Sequence, residues 1–161
     1  MQERDYAADY LALKAANDQL RERGKQWLLD SFSQLCAEAN RRLMAQPNQA
    51  GIQTGSQQWQ FKVENATMAG ERLGLRYQFR TLTVEVGWPQ LPEHGFLTDG
   101  AMARARISLS QNTMLEPQPI ADLVLKKAAN NDPVWFIVKH KVLGEQITSN
   151  RLNEYFSLIF G

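Results

Sequence analysis

Trp59-Gln60-Phe61-Lys62-Val63, then Arg72-Leu73-Gly74-Leu75-Arg76-Tyr77-Gln78-Phe79, then Leu82-Thr83-Val84-Glu85-Val86-Gly87-Trp88: along this stretch apolar side chains return at every second residue. Successive side chains of a strand point to opposite sides, so a period of two marks strands with one buried face. The buried set changes phase once, from odd numbers (Leu73 to Phe79) to even numbers (Leu82 to Trp88). A one-residue phase change inside one long strand, Arg72 to Trp88, predicts a β-bulge near Arg80-Thr81 and hence a curved sheet. The same reading places a turn at Met68-Ala69-Gly70-Glu71 and takes Trp59, Phe61, Val63, Tyr77 and Phe79 as core-facing.

Downstream, Ala101 to Ser110 reads as a third strand with Ala103, Ala105, Ile107 and Leu109 inward. Ile120 to Lys127 and Val134 to Leu143 flank Asn130-Asn131-Asp132-Pro133, a strong turn signal, and form a hairpin. Residues 59–143 are therefore expected to hold a curved antiparallel sheet of about five strands. A short helix over 147–160, capped by Thr148 or Ser149, buries Leu152, Tyr155, Phe156, Ile159 and Phe160.

Upstream, residues 1–46 form a helical arm: from 3 to 46 there is no proline, and Ala, Leu, Gln, Glu, Arg and Lys dominate. As one helix, residues 3–46 would run ~66 Å at ~1.5 Å per residue, longer than a small domain is wide. Tyr6, Tyr10, Leu13, Leu20 and Trp27 share one side of the cylinder. Leu28, Phe32, Leu35, Ala39 and Leu43 lie roughly 80° further round. The two stripes meet at Gly24, which predicts a kink or split there. A heptad pairing fails because its second core position would read Tyr10, Asn17, Gly24, Ser31. Pro47 to Gln58, with two glycines and several amides, reads as a loop. The fold class is α+β in a single domain, 1–161: long N-terminal helical arm, antiparallel sheet, short C-terminal helix.

Net charge is +1, with 18 basic and 17 acidic residues, so no global field steers the chain toward nucleic acid or membrane. Cys36 is the lone cysteine and sits among Phe32 and Ala39, where a thiol behaves as a small hydrophobe. The charged start Met1 to Tyr6 lacks the apolar segment of a signal peptide, and no membrane-length apolar run occurs, so a soluble cytoplasmic protein is expected. Phosphate loops, paired-histidine zinc helices, nucleophile elbows and dinucleotide fingerprints are all missing, so no cofactor or metal is implied and enzyme readings start low.

Three local patterns stand out. The loop Trp88 to Gly100 sets Glu93-His94 beside two prolines and two glycines; acid–base chemistry uses such pairs, but turn chemistry already explains the composition. His140, between two lysines, is more simply a hydrogen-bonded histidine than a catalyst. By parity, one sheet face collects Lys62, Arg72, Arg76, Arg80, Arg104, Arg106, Lys126, Lys139 and Lys141 against Glu64, Glu85 and Asp122. Of these, Arg72, Arg76, Arg80, Arg104, Arg106, Lys139 and Lys141 are the candidate contacts for phosphate, nucleic acid or an acidic protein. Long charged side chains also cover exposed sheets without any ligand.

The leading expectation is a non-enzymatic binding or assembly protein, a homodimer paired through Tyr6, Tyr10, Leu13, Leu20 and Trp27. Anion or nucleic-acid binding on the basic face comes second. A small-molecule cavity between sheet and helices, watched by Trp59, Trp88, His94 and Phe96, comes third.

Overall fold

A computed structural model of the chain describes residues 5–112 and 114–161. Its first element is one helix, α1 (Tyr6–Met44), followed by β1 (Gln53–Val63), β2 (Ala66–Tyr77), β3 (Arg80–Trp88), β4 (Ala103–Ser110), β5 (Gln118–Lys127), β6 (Pro133–Lys139) and β7 (Val142–Gln146). The chain closes with α2 (Ser149–Ser157) and a 3₁₀ turn, Leu158–Phe160. Each strand pairs antiparallel with the next, so the sheet order follows the sequence from β1 to β7. The fold is α+β, as expected, but the curved sheet has seven strands instead of five.

α1 begins at Asp5, whose side chain accepts a hydrogen bond from the Ala8 N–H at 3.1 Å. It then runs 39 residues without interruption, about 59 Å, so the predicted split at Gly24 does not occur. Glycine has a different purpose there. A Cβ at Gly24 would lie 2.7 Å from both terminal carbons of Leu125 in β5, so its absence lets the helix touch the sheet. The Gly24 carbonyl accepts a 2.8 Å hydrogen bond from the buried Trp135 indole N–H of β6. From that contact onward the second stripe lies on the sheet: Leu28 and Phe32 are fully buried, and Leu35, Ala39 and Leu43 pack at the margin. Burying each large apolar side chain contributes ~1.5–3 kcal/mol, which is what holds the helix down. Residues 6–16 of the same helix are all exposed and project beyond the sheet.

The phase change at Arg80-Thr81 is a hairpin and not a bulge. Tyr77 pairs with Arg80 across the two-residue turn Gln78-Phe79, so β2 ends and β3 begins there. Tyr77 packs edge-on against Phe160 at 4.9 Å, while Phe79 sits in the turn, exposed. The turn expected at residues 68–71 lies inside β2; the true one is Glu64-Asn65. There Gly70 faces Gly87 so closely that a Cβ on Gly70 would be 1.9 Å from the Val86 carbonyl oxygen. The register shifts instead between Ile107 and Ser108 in the β4–β5 pair, and between Phe136 and Val138 in the β6–β7 pair. Part of the expected loop, from Gln53, belongs to β1. Asn40 anchors the entry to that strand: its side chain accepts from the Ile52 N–H at 2.6 Å and donates to the Ile52 carbonyl at 3.1 Å.

Apolar side chains collect on both faces of the sheet. The main core lies under α1 and α2. Thr148 caps α2, its hydroxyl accepting from the Arg151 N–H at 3.2 Å, and Leu152, Phe156 and Ile159 are buried as expected, whereas Tyr155 is half-buried and Phe160, in the 3₁₀ turn, is exposed. A smaller cluster, Phe61, Val63, Ala66 and Met68 with Trp59 and Leu97 against it, occupies the opposite face. The first strand thus turns its apolar side away from the helix, contrary to the assumption that all apolar sides face one core. Among the described residues, no helix is long and apolar enough to cross a membrane.

Candidate functional site

The connection between β3 and β4, residues 89–102, folds over the β1–β2 end and forms a wall between two surface depressions. Pro89 and Pro92 fix its direction, and a 3₁₀ turn spans Pro92–His94. The His94 Nδ1 accepts from the Gln90 and Leu91 N–H groups at 3.4 and 3.3 Å. His94 is therefore committed to its own loop, which favours the turn-chemistry reading of Glu93-His94. Gly95, at φ 92°, brings the loop within 3.1 Å of the Asn65 carbonyl, measured from a Cβ that only glycine can omit.

On the helix side of this wall lies a groove of about 590 Å³ between the loop and the projecting part of α1. Trp88 and Met102 form its floor; Tyr10 and Leu13 stand on one bank, Leu91 and Phe96 on the other. Tyr6, Tyr10, Leu13, Leu91 and Phe96 are exposed at 75, 65, 57, 51 and 82 %. Of the expected interface stripe, Leu20 instead packs at the edge of the core. Trp27 is half exposed beside the turn between β5 and β6. The groove's deep end is fastened by polar contacts. Arg21 donates to the Met102 carbonyl at 2.8 Å and to Asp18 at 2.7 Å. The buried Lys25 ammonium pairs with Glu71 at 2.9 Å and Glu22 at 3.1 Å, 5.7 Å from the centre of the Trp88 ring. Burial opposes the charge on Lys25, but the two carboxylates together outweigh it and raise its pKa above the ordinary lysine value.

The second depression, about 620 Å³, lies on the face turned away from α1. Register gives the layout of that face. Arg72, Glu85, Arg106 and Asp122 stand side by side on β2, β3, β4 and β5, a row of alternating charge. Arg106 donates to Asp122 at 3.1 Å, the Trp59 N–H donates to Glu85 at 2.9 Å, and the Arg72 guanidinium lies 4.2 Å from the centre of the Trp59 ring. Each charge in the row thus has a partner. Arg104, in the next row, is flanked directly by Gly87 and Val124, and the carboxylates diagonal to it, Glu85 and Asp122, are engaged by Trp59 and Arg106. The Arg104 Nε is buried without a hydrogen-bond partner.

The basic set expected on this face is therefore divided. Arg72, Arg76, Arg104, Arg106 and Lys126 share it, and Lys141 reaches its edge from the turn between β6 and β7. Arg80 lies on the helix side, because the hairpin at Gln78-Phe79 resets the alternation, and it donates to the Leu158 carbonyl at 3.1 Å. Lys139 shares the side of Trp135 and Ile137, and Lys62 lies opposite Phe61 and Val63, so neither joins the basic face. Arg76 donates to the Gln78 carbonyl at the far end of β2. Trp59 and Trp88 lie on opposite faces of the sheet, so the aromatic set proposed for an internal cavity does not converge. Cys36 is buried, and burial raises its thiol pKa, as expected of a packing residue. The chain matches no known family model, no curated protein and no solved structure.

Proposed function

We propose that this protein is a binding and assembly module that pairs with a second copy through the projecting half of α1 and the facing loop 89–102. The observation that carries the reading is the exposed apolar strip Tyr6, Tyr10, Leu13, Leu91 and Phe96. Fully buried aromatic side chains cover ~150–250 Å² each, so the exposed fractions of Tyr6, Tyr10 and Phe96 alone amount to roughly 440 Å². With the leucines this approaches the ~800 Å² that each partner contributes to a stable interface. A helix offering one stripe suits a two-fold pairing, in which the same patch serves on both subunits.

Sedimentation of the full chain tests it. The intact protein should sediment as a dimer, and Leu13→Glu, at an exposed helical position, should give a monomer that still folds, with its helical circular dichroism retained. A monomer at every attainable concentration, or a dimer indifferent to Leu13→Glu and Tyr10→Glu, would sink the reading.

A further inference from the structure

We infer that the depression on the outer face is a binding cleft for a small organic anion, a carboxylate or phosphate on an apolar body, with Arg104 as its charge-pairing residue. The cleft is bounded by loop 96–101, by the Glu64-Asn65 turn and by the His140-Lys141 turn, and its 620 Å³ falls within the ~300–1,000 Å³ usual for small-molecule sites. Its two chemistries are separated. Val63, Ala66, Leu97, Val124 and Val138 supply an apolar surface, and Arg104, Arg106 and Lys126 supply cations.

Those cations are not equivalent. Arg106 already holds Asp122, and Arg104 holds nothing through its Nε. A buried donor left without an acceptor costs about 1–3 kcal/mol, more when it belongs to a charged group, so such atoms rarely persist without a missing partner. Cross-strand geometry gives Arg104 mixed neighbours: Lys126 and Asp122 both lie diagonal to it on β5, Glu85 lies diagonal on β3, and Arg106 stands two residues along the same strand. Asp122 is taken by Arg106 and Glu85 by the Trp59 N–H, which leaves Arg104 and Lys126 as the cations open to an incoming anion. The rim carries Glu64 and Asp99, which confine the favourable region to the floor around Arg104 and do not extend it over the whole sheet.

A guanidinium presents two parallel N–H groups that match the oxygens of a carboxylate or phosphate, which fixes the ligand's head. Its apolar body then lies toward Val124 and Leu97. A single-stranded polynucleotide is the less suitable occupant, because such chains stack bases on exposed aromatic rings. The cleft's lining offers a single exposed phenyl ring, Phe96, too few for successive bases, and Trp59 on the same sheet face is engaged by Arg72 and Glu85.

Calorimetric titration of the full chain at low salt decides the matter, with decanoate, decyl phosphate and inorganic phosphate as probes and a poly-dT oligonucleotide as competitor. One of the two amphiphiles should bind saturably at one site and more tightly than inorganic phosphate; whichever is tighter assigns the head group. Arg104→Met should weaken that binding by about tenfold or more while the fold is retained, since it removes a buried donor that has no partner. Arg104→Lys, which keeps the charge and loses the fork, should fall between. Arg76→Met, on the same face but outside the cleft, should bind as the parent does. The inference is overturned if no probe binds saturably, if Arg104→Met and Arg104→Lys both bind like the parent, or if the oligonucleotide binds best through Arg72 and Arg76. Sedimentation with and without decanoate separates this outcome from that of the dimer.

Discussion

Gly70→Ala should be among the most damaging small substitutions in this protein, although it adds one methyl group. An alanine Cβ at that position would sit 1.9 Å from the Val86 carbonyl oxygen and 2.7 Å from the Gly87 Cα, both backbone atoms of β3. Non-bonded heavy atoms rest at about 3.5–4.0 Å, so β2 and β3 must separate locally by more than ~1 Å. Ladder hydrogen bonds do not survive such a shift. Losing two of them costs about 2–4 kcal/mol, once the penalty for orphaned buried groups is included. Alanine's intrinsic advantage over glycine within a strand returns only ~0.5–1 kcal/mol. For a chain of this length the net loss corresponds to a fall of roughly 3–10 °C in melting temperature. Gly74→Ala, four residues along the same strand, is the control: its Cβ would meet only the Gly55 carbonyl, at 3.9 Å. That variant should melt at or slightly above the parent temperature. Thermal unfolding followed by circular dichroism reads both. The reasoning is wrong if Gly70→Ala melts within about 2 °C of the parent, or if Gly74→Ala falls as far.

Trp135→Phe removes the indole hydrogen bond to the Gly24 carbonyl, which keeps its helical partner, and leaves a void where the larger ring packed, so urea unfolding should show a loss of about 1–3 kcal/mol. Cys36 should resist a thiol reagent such as Ellman's in the native protein and react at once in denaturant; fast native labelling would show that the helix lifts from the sheet. Lys25 has a folded-state pKa above its unfolded value, so its contribution is complete below about pH 10 and is lost as pH rises through the folded pKa. The stability difference between the parent and Lys25→Met should therefore shrink above that pH, and a difference that stays flat to pH 12 would contradict the pairing. The His140-Lys141 turn holds both residues at positive φ, 51° and 64°, where Asn-Gly is the favoured pair; that double substitution should stabilise the protein by about 1 kcal/mol.

The helix and most strands were legible because their apolar periods are long and regular. What the sequence hid has three physical causes. A two-residue hairpin and a one-residue bulge shift side-chain parity by the same amount, so Tyr77-Gln78-Phe79-Arg80, with no Gly, Asn or Pro, was indistinguishable from a bulge. Gln53 to Gln58 and all of β7 are exposed, so no apolar alternation marks them as strands. Gly24 carries two meanings in sequence, a weak point in a helix or a place of close approach, and only the partner Leu125 distinguishes them. The basic face was half legible for the same reason. Once parity resets at the hairpin, Arg80 moves to the other side, whereas Arg72, Arg104 and Arg106 stay.

The weight given to Arg104 comes from how completely the other buried polar groups are satisfied. The Lys25 ammonium has two carboxylates. The indole N–H groups of Trp135 and Trp59 reach a backbone carbonyl and a carboxylate. The Asn40 amide uses both its donor and its acceptor on the backbone of one residue. Among the described residues, Arg104 Nε is the one buried side-chain polar atom without a partner. A loosely packed protein leaves such atoms in many places, and any one of them would be uninformative. In a structure that pairs the rest, an under-satisfied guanidinium in the lining of a ligand-sized cleft has a narrower explanation: its missing acceptor arrives from outside the chain, the guanidinium turning to meet it. The same reasoning makes Arg104→Met a discriminating substitution. If the orphan is merely tolerated strain, removing it stabilises the protein and costs no binding. If it waits for an anion, stability is kept or gained while affinity falls.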